Sequence, residues 1–210
     1  MKGSLLIVGC FTAGCLLGWS GWIPVSVMDG SDNYSRYVLY LLMFLVGMSI
    51  GSDKKLRDIL RSVRPRLLLV PLATIAGTLS ATAAISLLIS RWSMAHCLAV
   101  GSGFGYYSLS SILITELAAS SLGSQAAAEL GTVALIANVI RELIVLLGAP
   151  LLVRFFGRLA PICAGGATTM DTTLPVITRY AGKEVVFIAI FHAILVDFSV
   201  PFFVLFFCSI

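Results

Sequence analysis

Uncharged apolar runs, each about as long as a lipid bilayer is thick, follow one another along this chain and limit its fold more than any other feature. Hydrophobic residues make up 59% of the 210 residues and charged residues 11%, whereas soluble domains carry roughly 25% charged residues. A helix needs about 20 mostly apolar residues to cross the hydrocarbon core. The whole chain, 1–210, is therefore predicted to form a single polytopic transmembrane domain of the all-α class.

Five segments have the composition of ordinary transmembrane helices, and they lie at 4–23, 35–52, 67–90, 130–153 and 183–208. The first resembles a signal peptide, but several apolar spans follow it, which favours a retained first helix. The loop at 53–66 holds six of the 14 basic residues, and the positive-inside rule places such a loop in the cytoplasm. Because the basic residues lie in short loops between spans, the net charge of +4 does not indicate nucleic-acid binding.

Two further apolar segments, at 97–122 and 161–180, have a composition that opposes a continuous helix. The first contains GSGFGYYSLSS, and the second contains AGGATTMDTTLP. Glycine and proline destabilise helix interiors by about 1 and 3 kcal/mol, and broken backbone at membrane depth is tolerated only where protein buries it or it lines a wet cavity. Both segments are predicted to break, around Gly103 and Gly166, and to approach each other near the middle of the membrane.

The distribution of basic residues favours re-entrant hairpins over full crossings at these two segments. If both segments turn back, 11 basic residues lie on the cytoplasmic side and two outside; if both cross, the division is nine to four. The predicted architecture is about five transmembrane helices plus two opposed, Gly-rich, broken-helix hairpins, with the N-terminus in the cytoplasm and the C-terminus outside. Such an opposed pair is typical of inverted-repeat transporters whose binding site lies at mid-membrane.

Three polar residues, Asn138, Arg141 and Glu142, lie in the middle of the fourth ordinary span. An Arg or an acid at the centre of a membrane helix costs about 2.5–3.5 kcal/mol, so each needs a partner or a wet cavity. Asn138 and Glu142 share a helix face, while Arg141 is rotated by about 100° from Glu142. Asp171 and Glu116 are the candidate partners of Arg141. A buried pair that only fixes helix packing is the alternative.

Asp171 lies at the break in the second Gly-rich segment, among Thr168, Thr169 and Thr172. Two half-helices that meet there present unpaired backbone groups, and helix N-termini favour anions such as a substrate carboxylate. The threonine hydroxyls are candidates for ligating a substrate or a cation. A helix-capping role for Asp171 stays open at this point.

Other polar residues in the apolar segments carry weaker signals. Glu116 follows the first break and is interpreted as either a substrate contact or an interfacial residue. Tyr106 is able to offer a cation–π contact to a cationic ligand, and Ser108 adds a hydroxyl beside it. His192 and Asp197 lie five residues apart in the last span, about 140° around the helix. They are not expected to face one site closely, and their roles stay open.

Several of these stretches resemble the bacterial lysine exporter family, LysO. They are LMFLVGM at 42–48, GSGFGYYSLSSILITE at 101–116, RELI at 141–144 and ATTMDTTLPV at 167–176. The resemblance covers nearly the whole chain and implies export of L-lysine and related cationic amino acids. It also implies that the intramembrane acids of the family correspond to Glu142 and Asp171. Longer members look to carry additional N-terminal spans, so a second copy (a homodimer) or a separate small membrane subunit is expected to complete this shorter form.

The function implied by the resemblance is secondary active export across the cytoplasmic (inner) membrane, not an enzymatic activity. The membrane potential opposes outward movement of a cation by about 2.3 kcal/mol per charge per 100 mV, so antiport with H⁺, or with Na⁺, is expected. The chain has no P-loop motif for direct use of ATP, its five cysteines lack metal-ligand spacing, and no cofactor is expected. The alternative functions are a passive channel and an intramembrane serine hydrolase that uses Ser108 or Ser110 with His192.

Overall fold

The computed structural model describes residues 65–210 and, in the preceding part of the chain, five single helical residues: Ser20, Tyr37, Leu41, Phe44 and Met48. The chain divides into two compact units, Met1–Gly47 and Met48–Ile210, and the architecture below is that of the second unit. The predicted spans at 4–23 and 35–52, and nearly all of the basic loop at 53–66, lie outside the described residues. The total of five spans therefore stays a prediction.

Seven α-helices make up most of residues 65–210, and this part of the chain contains no strand. They are α1 (Leu69–Ser86), α2 (Met94–Gly101), α3 (Tyr107–Leu122), α4 (Ser124–Phe156), α5 (Ala160–Gly165), α6 (Leu174–Ala181) and α7 (Val186–Cys208). Short 3₁₀ segments lie at Pro65–Leu68, Gly166–Met170 and Lys183–Val185. The prediction of an all-α fold is confirmed.

Three stretches of the described chain are long and apolar enough to cross a membrane. They are Leu69–Ser86, Ser124–Phe156 and Lys183–Cys208, and they correspond to the last three predicted spans. With 33 residues, α4 is about 50 Å long, and both broken segments pack against it. Large apolar side chains on the outer faces, such as Leu72, Ile144 and Phe202, are exposed, as the lipid-facing surface of a membrane protein requires.

Helices α2 and α3 form a hairpin whose open end lies at the N-terminal end of α4. Arg91, which precedes α2, forms an ion pair with Glu129 near the start of α4, and α3 runs into α4 through a one-residue link. The turn of the hairpin lies deep along α4, because the backbone N–H of Gly105 donates to the side chain of Asn138, about 21 Å from the start of that helix. The first Gly-rich segment thus turns back, as predicted.

Helices α5 and α6 form a second hairpin, whose open end lies at the C-terminal end of α4. Arg158 precedes α5 and Glu184 follows α6, and their Nη1 and Oε2 atoms lie 3.0 Å apart. Both legs pack against α4 in a buried apolar cluster that consists of Val145, Ile162, Ile177, Ala181, Val185 and Ala189. Pro161 and Pro175 lie in the first turns of α5 and α6, where the missing N–H leaves no helical hydrogen bond unmade.

The ends of the long helices show that the two hairpins enter from opposite sides. Val70, at the start of α1, packs against the apolar cluster of the second hairpin, so α1 begins where that hairpin opens. Helix α1 ends shortly before Arg91, where the first hairpin opens. Helix α7 begins directly after the second hairpin and runs to the opposite end. This is the opposed arrangement that the sequence predicts.

Candidate functional site

The turns of the two hairpins meet backbone to backbone. The N–H of Ala167 donates to the carbonyl oxygen of Phe104 at 2.9 Å. Gly166 has a φ of +64°, and a Cβ there would collide with that same oxygen; a Cβ at Gly105, whose φ is +99°, would lie 2.7 Å from the carbonyl oxygen of Gly165. Glycine alone combines such φ values with so close an approach. The prediction that the two segments break and approach each other is confirmed.

Asn138 on α4 holds the turn of the first hairpin. Its Oδ1 accepts the N–H of Gly105 at 2.7 Å. Its Nδ2 donates to the carbonyl oxygen of Ala134 at 2.8 Å and to Oγ of Ser110 at 3.4 Å. Because the side chain is buried, each of these bonds pairs a polar group that would otherwise cost about 1–3 kcal/mol unpaired. Asn138 therefore belongs to the framework of the hairpin contact.

Arg141, one turn further along α4, braces the second hairpin. Its Nε donates to the carbonyl oxygen of Ala164 at 2.6 Å, and its Nη2 donates to that of Cys163 at 3.0 Å. Both carbonyls belong to the last turn of α5, where they have no helical partner and attract a cation. The prediction that Arg141 pairs with Asp171 or Glu116 is wrong: these carbonyls take up the guanidinium, and the described residues give it no acidic partner.

Replacing Arg141 with methionine is expected to lower the melting temperature of the purified protein. Methionine keeps an apolar stem but leaves the two α5 carbonyl oxygens without their donor. Hydrogen bonds from a charged donor contribute about 1.5–3 kcal/mol each, so the free energy of unfolding should fall by about 3 kcal/mol or more. Arg154→Met, on the exposed surface of the same helix, is the matched control. Equal melting temperatures for the two variants would contradict the bracing role.

A cavity of about 160 Å³ lies beside the hairpin contact and contains two carboxylates, those of Asp171 and Asp197. Both hairpins and α7 line it, through Gly105, Tyr106, Tyr107, Ser108, Ala167, Thr168, Met170, Asp171, Thr172 and Asp197. Among the described residues, no Lys, Arg or His is part of this lining. Within this part of the chain the cavity is an acidic site without its own counter-charge, and such a site favours a cationic ligand.

The two carboxylates have different surroundings. Asp171 is exposed, and its Oδ1 accepts the N–H of Thr172 at 2.6 Å and the hydroxyl of Thr172 at 3.3 Å. Asp197 is 8% exposed and has no hydrogen bond or ion pair within the part of the chain that the structure describes. The sequence left the role of Asp197 open, although the cost of an acid in the middle of a span, which singled out Glu142, applies to Asp197 as well.

The threonines of the second hairpin chiefly serve its own turn. Oγ1 of Thr168 donates to the carbonyl oxygen of Gly165 at 3.0 Å. Oγ1 of Thr169 lies 2.8 Å from the carbonyl oxygen of Gly166 and 3.1 Å from that of Ala189. Both hydroxyl hydrogens are thus committed to the backbone. Of the three predicted threonines, Thr168 and Thr172 line the cavity and Thr169 does not.

Glu142 and Glu116 lie outside the cavity. Both are partly buried, and neither has a hydrogen bond or an ion pair with any described residue. Glu142 lies one helical turn after Asn138 on the same face of α4, while Glu116 belongs to the second half of α3. The structure therefore separates these two acids from Asp171 and brings Asp197 to it instead.

His192 faces α1 and not the cavity. Its Nε2 lies 2.9 Å from the hydroxyl of Thr74, which itself donates to the carbonyl oxygen of Val70. Nδ1 of His192 is buried without a partner among the described residues. His192 and Asp197 thus face different neighbours, in agreement with their spacing.

Hydrolytic and metal chemistry have no assembled site among the described residues. Ser108 lines the cavity, and the hydroxyl of Ser110 donates to the carbonyl oxygen of Tyr106, but His192 is bonded to α1. The described residues therefore do not bring His192 to either serine. They also contain no cluster of three or more His, Cys, Asp or Glu side chains that could hold a metal ion.

Comparison with known proteins gives one family. The sequence matches the family model described as lysine exporter LysO over residues 8–208. It is 33% identical over 209 residues to the lysine exporter LysO of Escherichia coli strain K12, an alignment that covers 98% of this chain and 64% of that relative. It is 29% identical over 190 residues to a putative lysine exporter of Haemophilus influenzae, with coverages of 90% and 91%. The chain thus spans less than two thirds of the length of the Escherichia coli relative, and no solved structure matches.

Proposed function

Because the chain belongs to the lysine exporter LysO family, we propose that it is a secondary active transporter that exports L-lysine or a related cationic amino acid. The observation that carries the proposal is the cavity beside the hairpin contact, which holds Asp171 and Asp197 and to whose lining the described residues contribute no basic side chain. Two carboxylates balance the two ammonium groups of lysine, whereas a neutral amino acid would leave one carboxylate unbalanced.

The same cavity has a place for the carboxylate of the substrate. Helix α3 begins at Tyr107 in the cavity lining, and the first-turn N–H groups of Ser108 and Leu109 have no backbone hydrogen bond among the described residues. A helix N-terminus with free N–H groups attracts an anion. An amino acid with its carboxylate at Ser108 and its ammonium groups at the two aspartates would have all its charges balanced.

The predicted site residues divide into three groups in this proposal. The residues of the cavity lining contact the substrate, and they are Tyr106, Ser108, Thr168, Asp171 and Thr172. Among them, Tyr106 offers the cation–π contact. Residues that hold the hairpin turns act through those turns: Asn138, Arg141 and Thr169. Glu142 and Glu116 lie outside the cavity; we assign Glu142 to the path along which the cation approaches and Glu116 to the interfacial role that the sequence left open.

Export of a cation needs an energy source. A membrane potential that is negative inside opposes it by about 2.3 kcal/mol per charge per 100 mV, and the chain carries no phosphate-binding P-loop motif. We propose that inward movement of protons drives the export. Sodium is the other coupling ion that the test below distinguishes.

We propose a location in the cytoplasmic membrane, with the N-terminus inside and the C-terminus outside. The loop at 53–66 carries six basic residues and precedes α1, whose start lies at the end where the second hairpin opens. In a variant without native cysteines, an impermeant thiol reagent added to intact cells is expected to label Ser209→Cys and to spare Lys55→Cys. Labelling of position 55 alone would reverse the orientation.

Reconstitution of the purified chain into liposomes tests the transport proposal. Vesicles loaded with unlabelled lysine are expected to accumulate radiolabelled lysine by counterflow, and an imposed pH gradient should increase the accumulation. A sodium gradient that has the same effect, without any effect of pH, would replace H⁺ with Na⁺. Lysine flux that follows the membrane potential and ignores both gradients would indicate a passive channel. The absence of any lysine flux would contradict the proposed function.

A further inference from the structure

Asp197 is the most deeply buried acid among the described residues. It lies in the middle of α7, is 8% exposed, and lines the cavity. Asp171, the other acid of the cavity, is exposed and accepts two hydrogen bonds from Thr172. The described residues offer Asp197 no comparable donor. The two acids therefore lie in the same cavity but differ in exposure and in hydrogen bonding.

The groups around Asp197 make its ionised form unfavourable while the cavity is empty. From the second hairpin Asp171 faces the cavity, and from the first hairpin Tyr106 and Tyr107 do so; α1 and α4 contribute no residue to the lining. A buried carboxylate without a partner loses its hydration and gains nothing in exchange. A second carboxylate in the same cavity adds like-charge repulsion. Both effects favour the protonated form of Asp197, whereas a cation in the cavity would favour the carboxylate.

We infer that Asp197 is the residue that exchanges a proton for the cationic substrate, an inference that rests on the proposed function. When an ammonium group enters, the O–H bond of the Asp197 carboxyl breaks, its proton passes to water, and the carboxylate that remains pairs with the ammonium. When the substrate leaves on the outer side, a proton from that side binds Asp197 again. Asp171 pairs with the other ammonium group of the bound substrate.

This exchange removes the obstacle that the membrane potential presents to export. Lysine carries a net charge of one, and one proton returns for each molecule exported. The cavity therefore has the same net charge whether it is loaded with substrate or with a proton, and a full cycle moves no net charge across the membrane. Export is then driven by the pH gradient and is insensitive to the potential.

Proton release on binding tests the inference directly. Lysine is added to the purified protein in a weakly buffered solution with a pH indicator, and lysine binding is measured in parallel by calorimetry. The wild-type protein is expected to release about one proton per lysine bound. The Asp197→Asn variant should bind lysine through Asp171 with an affinity about tenfold lower or more, and it should release no proton. Glu116→Gln, which removes an acid outside the cavity, should behave like the wild type.

The possible outcomes separate the inference from the proposed function. A wild-type protein that binds no lysine would contradict the proposed function, whatever Asp197 does. Proton release by Asp197→Asn equal to that of the wild type would overturn the inference alone. Because asparagine imitates the neutral acid, Asp197→Asn should also fold with an unchanged or higher melting temperature. A variant that fails to fold, or that binds no lysine at all, would equally overturn the inference.

Discussion

Replacing Asp171 with asparagine is expected to reduce pH-driven lysine export to the level of protein-free vesicles. Asp171 is the exposed carboxylate of the cavity, and in the proposed cycle it pairs with an ammonium group of the bound substrate. Truncating one partner of a buried charge pair costs about 2–5 kcal/mol; a substrate in the cavity would cover Asp171, so we expect a loss of affinity of roughly 30-fold or more. The measurement is uptake of radiolabelled lysine into proteoliposomes with an imposed pH gradient.

The Asp171→Asn result needs a control for general effects of removing an acid from the membrane part of the protein. Glu116→Gln removes a carboxylate that lies on α3 outside the cavity, and it should keep export near the wild-type rate. The purified Asp171→Asn protein should also elute as a folded protein, because the substitution is expected to weaken substrate binding and not folding. Export by Asp171→Asn at the wild-type rate would remove the cavity from the proposed transport path.

Replacing Gly166 with alanine is expected to unfold the contact between the hairpins and abolish export. The new Cβ would collide with the carbonyl oxygen of Phe104, and the backbone has a φ of +64°. With a ψ of −128°, this backbone conformation is sparsely populated and costs a non-glycine residue about 1–3 kcal/mol, and overpacking typically adds about 1–3 kcal/mol. We expect the melting temperature of the purified variant to fall clearly and its lysine counterflow to disappear.

Gly148 supplies the matched control for that substitution. It lies within α4, and a Cβ there would have no neighbour within 4 Å. Alanine has a higher helix propensity than glycine by about 1 kcal/mol, so Gly148→Ala should be neutral or stabilising. If Gly166→Ala were as stable and active as Gly148→Ala, the backbone contact between the hairpins would not be what holds the two turns together.

The sequence predicts the helical architecture well, because the lipid environment leaves few alternatives. The predicted spans at 67–90, 130–153 and 183–208 correspond to helices at Leu69–Ser86, Ser124–Phe156 and Lys183–Cys208. Glycine, proline and hydroxyl residues identify the two broken segments, and the balance of basic charge indicates that they turn back. These inferences depend on composition alone, so they need no knowledge of which side chains meet.

The partners of the polar residues were harder to predict, because they depend on how the helices are rotated and where the hairpins cross. The cost of a buried charge shows that Arg141 needs a partner, but not that the partner is the end of α5. The same cost applies to Glu142 and to Asp197, and only the packing of α7 beside the hairpin turns brings Asp197 into the cavity. Of the two acids that the sequence emphasised, Glu142 and Asp171, only Asp171 lines the cavity, and Asp197 is its second acid.

The bond between Gly105 and Asn138 has a consequence for the order of biosynthesis. The two residues are 33 positions apart, so the turn of the first hairpin leaves the ribosome before the residue that satisfies its backbone. Until α4 follows, that turn has a free N–H that lipid would leave unpaired at a cost of several kcal/mol. We therefore expect the nascent first hairpin to remain in a hydrated or proteinaceous environment, such as the interior of an insertion machinery, until α4 packs against it and Asn138 accepts the N–H of Gly105. Release into lipid then becomes favourable for the hairpin and α4 together.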